Sequence, residues 1–137
     1  MNVVDRPLFV NVGSETLFAV RSDPETPGGV GVVLLPAGGY TFTPQRNRWG
    51  VDLAHRLAAA GHPFLRFDWQ GIGDSTGSVD TFALDMPAVA DAHAALTSLD
   101  SPRTVLMGQC YGARTAMAMA SNVDGLAGVV LISPPVR

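Results

Sequence analysis

The stretch VLMGQCYGARTA, Val105–Ala116, decides the fold, because its pattern changes at a single cysteine. An apolar, strand-like run reaches Gly108, and Ala- and Met-rich helix formers follow Gly112. The pattern G-x-C-x-G therefore predicts a sharp turn from a strand to a helix, with Cys110 at its apex.

Such a turn suits a nucleophile. The tight backbone lifts the side chain clear of its neighbours, and the start of the helix presents N–H groups and a positive dipole to a thiolate. Both flanking positions have to be small, and they are Gly108 and Gly112. Taken alone, the pattern fits a buried structural cysteine equally well. The strand expected before Cys110 and the helix expected after it favour the nucleophile.

The rest of the chain alternates strand-like and helix-like segments. Short apolar or alternating runs predict six strands, at Pro7–Val12, Thr16–Arg21, Gly29–Leu35, Pro63–Phe67, Arg103–Gly108 and Leu126–Ile132. Apolar residues at helical spacing predict three helices. The buried face of the first includes Trp49, Leu53 and Leu57, with Gly61 as its cap, that of the second includes Val89, Ala92, Leu96 and Leu99, and the third runs over Tyr111–Ser121.

This order predicts the fold class. Gly13–Glu15 joins the first two strands as a hairpin, and the β-α-β alternation that follows packs as a parallel sheet with helices on both faces. We therefore expect an α/β protein, a mainly parallel doubly wound sheet with an N-terminal β-hairpin, forming one domain over residues 1–137.

Composition excludes several function classes. The chain has 137 residues, a formal net charge of -3 and no basic patch, so nucleic acid is not expected as a partner. No apolar run approaches the roughly 20 residues of a membrane span, and MNVVDRPLFV lacks the pattern of a signal peptide. One cysteine fits a reducing cytoplasm. The glycines of Gly71–Gly77 have the wrong spacing for a dinucleotide loop, and we expect no metal or cofactor.

Four blocks of sequence carry a family resemblance. They are VVLLPAGG at 32–39, LAHRLAAAGHPFLRFDWQGIGDSTG at 53–77, MGQCYGA at 107–113 and VVLISPP at 129–135. They resemble the α/β-hydrolase superfamily, in particular the N-terminal half of its serine-aminopeptidase-like and exosortase-associated hydrolase branches. The second block is the most specific. The resemblance implies an incomplete α/β-hydrolase fold that holds strands 1 to 6.

The resemblance also implies roles for individual residues. Cys110 stands where most relatives have serine, as in dienelactone hydrolases, and would form an acyl-enzyme with an ester, thioester or amide carbonyl. The oxyanion hole would use the N–H groups of Tyr111 and of Gly38, with Gly39 as the alternative. Three further residues are candidates for binding the acyl substrate, namely Tyr40, Arg46 and Gln109.

The acid and the histidine of the family triad have no counterpart after the cysteine, since residues 111–137 contain no histidine. We expect His55 and His93 on helices and His62 at the amino edge of the sheet. Two hypotheses follow. In the first, a second chain or a continuation supplies both groups, and this chain alone is inactive. In the second, the chain is a non-catalytic, truncated or degenerate module that binds or assembles.

The last strand bears on both hypotheses. In the family order 1-2-4-3-5-6, residues 128–132 form an edge that reads GVVLI, without lysine, inward charge or interior proline. We therefore expect pairing at this edge, either with a second chain that completes the sheet and triad or with a copy of the same chain.

Overall fold

A computed structural model of the chain describes residues 2–26, 28–38, 48–78 and 88–135. Within these ranges the strands are β1 (Val4–Val12), β2 (Glu15–Asp23), β3 (Gly31–Leu35), β4 (Phe64–Phe67), β5 (Thr104–Gln109) and β6 (Leu126–Ile132). The helices are α1 (Trp49–Ala59), α2 (Val89–Leu99) and α3 (Tyr111–Met119), and a short 3-10 turn, Ala120–Asn122, follows α3.

The six strands form one sheet in the order β1-β2-β4-β3-β5-β6. β2 pairs antiparallel with β1 and with β4, whereas the β3–β4, β3–β5 and β5–β6 pairs are parallel. The predicted α/β class, the N-terminal hairpin and the strand order of the α/β-hydrolase fold are thereby confirmed.

The first strand begins earlier than the sequence predicted, at Val4 rather than Pro7. Proline was expected to start the strand, but it lies inside it, opposite Val20. The reason is that β1, within the described part of the chain, has β2 as its one neighbour and so is an edge strand, which tolerates a residue without an N–H group.

The predicted cap of the first helix is confirmed. Gly61 has a φ of 98°, and its N–H donates to the Ala58 carbonyl oxygen at 2.9 Å. The His62 N–H donates to the Leu57 carbonyl oxygen, also at 2.9 Å, which completes a Schellman motif. The third helix ends at Met119 and tightens into the 3-10 turn, slightly before the predicted end.

Alternate residues of the internal strands enter two hydrophobic clusters on opposite faces of the sheet. On one face, Val33 and Leu35 of β3 pack with residues of α2 and α3. On the other face, Val32 and Leu34 pack with Ala54 of α1. The sheet is thus covered by helices on both sides, as in a doubly wound fold.

Among the described residues, β6 pairs with β5 alone and forms one edge of the sheet. Three consecutive apolar side chains of β6 are exposed, Val129 by 37%, Val130 by 41% and Leu131 by 39%. Within the described ranges, no helix combines the length and the hydropathy that a membrane crossing requires.

Candidate active site

Cys110 lies between the end of β5 and the start of α3, at the apex of the predicted turn. Its backbone has a φ of 51° and a ψ of -112°, and the residue is exposed. Holding a residue that has a side chain in such a backbone conformation costs on the order of 1–3 kcal/mol of free energy. The conformation therefore persists only where the surrounding structure imposes it. The turn therefore presents the thiol on the surface at the expense of backbone strain.

The two glycines of the turn are required for different contacts. A Cβ atom on Gly108 would collide with the backbone of Gly112 and Ala113, so β5 runs directly against the first turn of α3. A Cβ atom on Gly112 would collide with the carbonyl group of Leu35, so α3 also starts directly against the end of β3. Together the glycines bring β3, β5 and α3 to one point.

Backbone hydrogen bonds fix the cysteine on both sides. The Cys110 N–H donates to the Ile132 carbonyl oxygen at 2.9 Å, which ties the turn to the last residue of β6. The Cys110 carbonyl oxygen accepts from the Arg114 N–H at 3.1 Å, which is the first bond of the α3 ladder.

The residues predicted for the oxyanion hole follow adjacent strands. Leu35 at the end of β3 lies opposite Gly108 in β5, so the segment that leads to Gly38 leaves the sheet beside the cysteine turn. Tyr111 is the first residue of α3, and the N–H groups of a first turn point out from the end of a helix. Gly39 lies outside the described residues.

Among the predicted substrate-binding residues, Tyr40 and Arg46 also lie outside the described residues. Gln109 is half-buried and ends β5. By strand alternation its side chain shares a face with Val105 and Met107, which pack on the cluster beneath α1. Its Oε1 atom is buried, and within the described part of the chain no hydrogen-bond donor reaches it.

The side chain of Tyr111 is buried behind the turn. Its hydroxyl oxygen accepts a 2.8 Å hydrogen bond from the Ala88 N–H, just before α2 begins. Burial raises the pKa of the Tyr111 phenol, so the group is neutral at physiological pH. Tyr111 therefore links the start of α3 to the start of α2.

The loop Gly71–Gly77, which ends the second of the four sequence blocks, has a structural role. Ser75 Oγ accepts from the Phe18 N–H at 2.8 Å and donates to the Asp68 carbonyl oxygen at 2.7 Å. Thr76 Oγ1 accepts from the Thr16 N–H at 2.8 Å. Beyond the end of β4, these side chains accept the hydrogen bonds that β2 would otherwise donate to a neighbouring strand. They thereby hold the N-terminal hairpin to the rest of the sheet.

Two carboxylates near the carboxyl edge of the parallel strands, those of Asp68 and Asp91, also accept structural hydrogen bonds. Asp68 is buried, and its Oδ2 atom accepts from the Asp74 N–H at 3.3 Å. Asp91, in the first turn of α2, is 3% exposed and accepts two hydrogen bonds from Gln70, one from the backbone at 3.0 Å and one from the side chain at 2.6 Å. Asp91 thus clamps the start of α2 to the loop after β4.

Each histidine lies away from the cysteine turn. His55 of α1 is 2.7 Å from the carboxylate of Asp5. His62 precedes β4 and contacts the Val30 carbonyl oxygen at 3.0 Å, at the amino edge of the parallel strands. His93 of α2 lines a polar cavity of about 250 Å³ that includes the start of β5. These positions agree with the expectation from the strand order.

Two buried residues that support the segments around the cysteine turn, Trp69 and Asp91, were not predicted from the sequence. Trp69 is 1% exposed, and its Nε1–H donates to the Pro36 carbonyl oxygen at 3.0 Å. One signal was available: a buried indole N–H must find an acceptor, and Trp69 stands in a loop where a surface residue is usual. Asp91 gave no comparable signal, because an acidic residue is ordinary in the first turn of a helix.

Comparison with known proteins decides the family. The sequence profile of the Alpha/beta hydrolase family matches residues 32–137. The chain belongs to the alpha/beta hydrolase family. Among curated proteins, none matches the chain.

Solved structures share this alpha/beta hydrolase fold. An esterase of Pyrococcus furiosus superposes with a TM-score of 0.80 at 20% identity, over 98% of this chain and 53% of the esterase. Proline iminopeptidase of Mycobacterium smegmatis gives 0.75 at 23%, over 95% and 44%. Mouse alpha/beta hydrolase domain-containing protein 10 gives 0.73 at 20%, over 92% and 48%. The chain thus spans about half the length of these structures.

Proposed function

We propose that this chain is the nucleophile-bearing half of an acyl hydrolase or acyltransferase, in which Cys110 forms an acyl-enzyme with an ester, thioester or amide carbonyl. The observation that carries the proposal is the exposed cysteine at a φ of 51° between β5 and α3. A buried structural cysteine needs neither the strained backbone nor a glycine on each side of it at positions where a Cβ atom would collide with neighbouring backbone.

The proposed step uses groups at the carboxyl edge of the sheet. The thiolate of Cys110, whose proton is released to solvent, attacks the carbonyl carbon of the substrate. A C–S bond forms, and the π electron pair of the carbonyl moves to oxygen. The N–H groups of Tyr111 and Gly38 stabilise that oxyanion. The intermediate collapses with cleavage of the bond to the leaving group, which departs with the electron pair and leaves a thioester on Cys110.

Completion of a catalytic cycle requires a base that activates water or another acceptor. The three histidines lie on α1, on α2 and before β4, where none adjoins the cysteine turn. The half-length match to solved hydrolases is consistent with a base from a second polypeptide segment. We therefore propose one acylation without turnover for this chain alone.

The test is to mix the chain with p-nitrophenyl acetate, to count released p-nitrophenol and to locate the acyl group by mass spectrometry. The proposal predicts at most one equivalent, with the acetyl group on Cys110. The Cys110→Ala variant releases no equivalent. The Cys110→Ser variant keeps the family residue but also fails to react, because a serine hydroxyl without a base is a weak nucleophile, whereas a fraction of a thiol is ionised near neutral pH.

Two results would count against the proposal. If the folded chain carries no acyl group on Cys110 after the reaction, Cys110 is not the nucleophile. Repeated turnover that Cys110→Ala abolishes would show that a base acts within this chain, and only the claim of an incomplete site would then fail.

The exposed edge of β6 favours a second candidate, a non-catalytic binding or assembly module. The strand LAGVVLI carries no charge, and three of its apolar side chains are exposed. Such an edge is a template for another strand, from a second chain or from a copy of this one. If Cys110 is inert while β6 pairs, this candidate is the better account.

The finer assignments extend the same proposal. The blocks quoted above support the serine-aminopeptidase-like and exosortase-associated branches within the family. A single cysteine with no possible disulfide partner in its own chain supports a reducing compartment such as the cytoplasm.

A further inference from the structure

Trp69 contacts both segments that carry the proposed oxyanion hole. Its indole N–H donates to the Pro36 carbonyl oxygen at 3.0 Å, two residues before Gly38. Its ring packs edge-on against the ring of Tyr111, with centroids 5.5 Å apart and an interplanar angle of 83°. The side chain is 1% exposed.

The hydrogen bond to Pro36 satisfies two groups that have few other options. A buried indole has one donor and requires an acceptor. Pro36 is buried at the point where the chain leaves β3, so its carbonyl oxygen has left the strand ladder and requires a donor. Each group therefore holds the other in place.

This bond also sets the direction of the peptide that follows. Because a trans peptide is planar, its C=O and the next N–H point in opposite directions. With the Pro36 carbonyl directed at the buried indole, the Ala37 N–H points away from it, so the orientation of the Pro36–Ala37 peptide, directly before the one that carries the Gly38 N–H, is fixed. The Pro36 carbonyl and the preceding carbonyl, that of Leu35, also lie against Gly112 at the start of α3.

We propose that Trp69 is a positioning residue, which holds the Pro36–Gly38 segment and Tyr111 in the register that the oxyanion hole needs. This inference rests on the function proposed above. Trp69 does not touch the substrate, and it acts through the two backbone segments that would.

The test compares two reactions of the same thiol in the Trp69→Phe variant. Alkylation by iodoacetamide displaces iodide from a saturated carbon and develops no oxyanion, whereas acylation by p-nitrophenyl acetate does. Phenylalanine keeps an aromatic ring and removes the N–H. We expect alkylation at the wild-type rate and acylation roughly tenfold slower, since small misplacements of a site can cost up to about 100-fold.

The matched control is Trp49→Phe, the same substitution at a half-buried tryptophan that packs on the opposite face of the sheet. Both rates should remain unchanged in this control. If Trp69→Phe fails to fold cooperatively, Tyr111→Leu decides, because it removes the ring contact but keeps the backbone N–H. It also removes the hydroxyl that accepts from the Ala88 N–H, so the alkylation rate is again the measure of general damage to the turn. The variant should show the same selective loss of acylation, with alkylation at the wild-type rate.

Three results separate the possible failures. Equal rates for wild type and Trp69→Phe in both reactions overturn the positioning role. A parallel fall in both reactions also overturns it, because it shows general damage to the turn. Wild-type acylation no faster than that of the urea-unfolded chain contradicts the oxyanion hole itself, and with it the proposed function.

Discussion

The N–H of Cys110 donates a 2.9 Å hydrogen bond to the carbonyl oxygen of Ile132, so the cysteine turn is joined to the end of the edge strand β6. The carboxyl ends of β3, β5 and β6 therefore meet around one exposed thiol. Any polypeptide that pairs with β6 extends the sheet next to this site.

We expect the chain to associate through β6. The Val130→Lys variant places a charge on the exposed centre of this strand, which opposes pairing with another strand. Static light scattering at low micromolar concentration should show a larger mass for the wild type than for Val130→Lys. The control is Val4→Lys on β1, because the opposite edge already carries Asp5, Arg6 and Pro7.

A wild-type chain that remains a 14.4 kDa monomer would contradict this expectation, if its amides at 129–132 are also protected from hydrogen exchange. Equal effects of both lysine variants would indicate a general effect of charge rather than pairing at β6.

Gly112→Ala is expected to destabilise the fold by about 1–3 kcal/mol, since the added Cβ collides with the Leu35 carbonyl and forces backbone to move. Urea unfolding followed by circular dichroism measures the loss. The control is Gly28→Ala, because a Cβ atom at Gly28 meets nothing within 4 Å. If the Gly112 variant is as stable as the Gly28 variant, α3 does not start against β3.

Ser75→Ala removes two hydrogen bonds, one from the Phe18 N–H and one to the Asp68 carbonyl. A loss of about 1–2 kcal/mol of unfolding free energy is expected, because one part-buried backbone donor loses its acceptor. Hydrogen exchange should report faster exchange at the Phe18 amide. Ser78→Ala, at an exposed position of the same loop, serves as the control and should change neither quantity.

The pH dependence of stability should include a contribution from Asp5. Burial raises the pKa of Asp5, but hydrogen bonds from Ser22 and His55 outweigh that effect and hold it below its ordinary value. A lowered pKa in the folded state stabilises the fold above the unfolded pKa of about 3.9, and the contribution is lost as the pH falls through the folded value.

Asp5→Asn should therefore be less stable than the wild type at pH 7, with the difference closing at lower pH. Because the Asp5 side chain is 37% exposed, the difference should stay below about 1 kcal/mol. Urea unfolding at pH 7 and at pH 3 measures it. Asp52→Asn, an exposed position on α1, is the control, and a difference for Asp5→Asn that is the same at both pH values would argue against this pairing.

The cysteine turn could be predicted from local signals, namely apolar periodicity and the glycines at 108 and 112. The strand order could be predicted from the four sequence blocks that resemble the family. The sequence did not predict that Trp69 and Asp91 support the segments around the turn. Their partners, Pro36 and Gln70, are 33 and 21 residues away in the chain. Contacts of that kind are created by packing. A tryptophan in a loop signals that its indole N–H needs an acceptor, but no local pattern identifies the partner.

The central claim is that the fold presents Cys110 as a nucleophile, and its alkylation rate tests this most directly. Iodoacetamide is added at pH 7 to the folded chain and to the same chain in urea, and the carbamidomethyl group is counted by mass spectrometry. Cys110 directly precedes α3, and the N–H groups and positive dipole end of that helix favour a negatively charged sulfur. Because the thiol is also exposed and open to the reagent, we predict faster labelling of the folded chain than of the unfolded one. A folded chain that is labelled more slowly than the unfolded chain would contradict the claim and identify Cys110 as a structural residue.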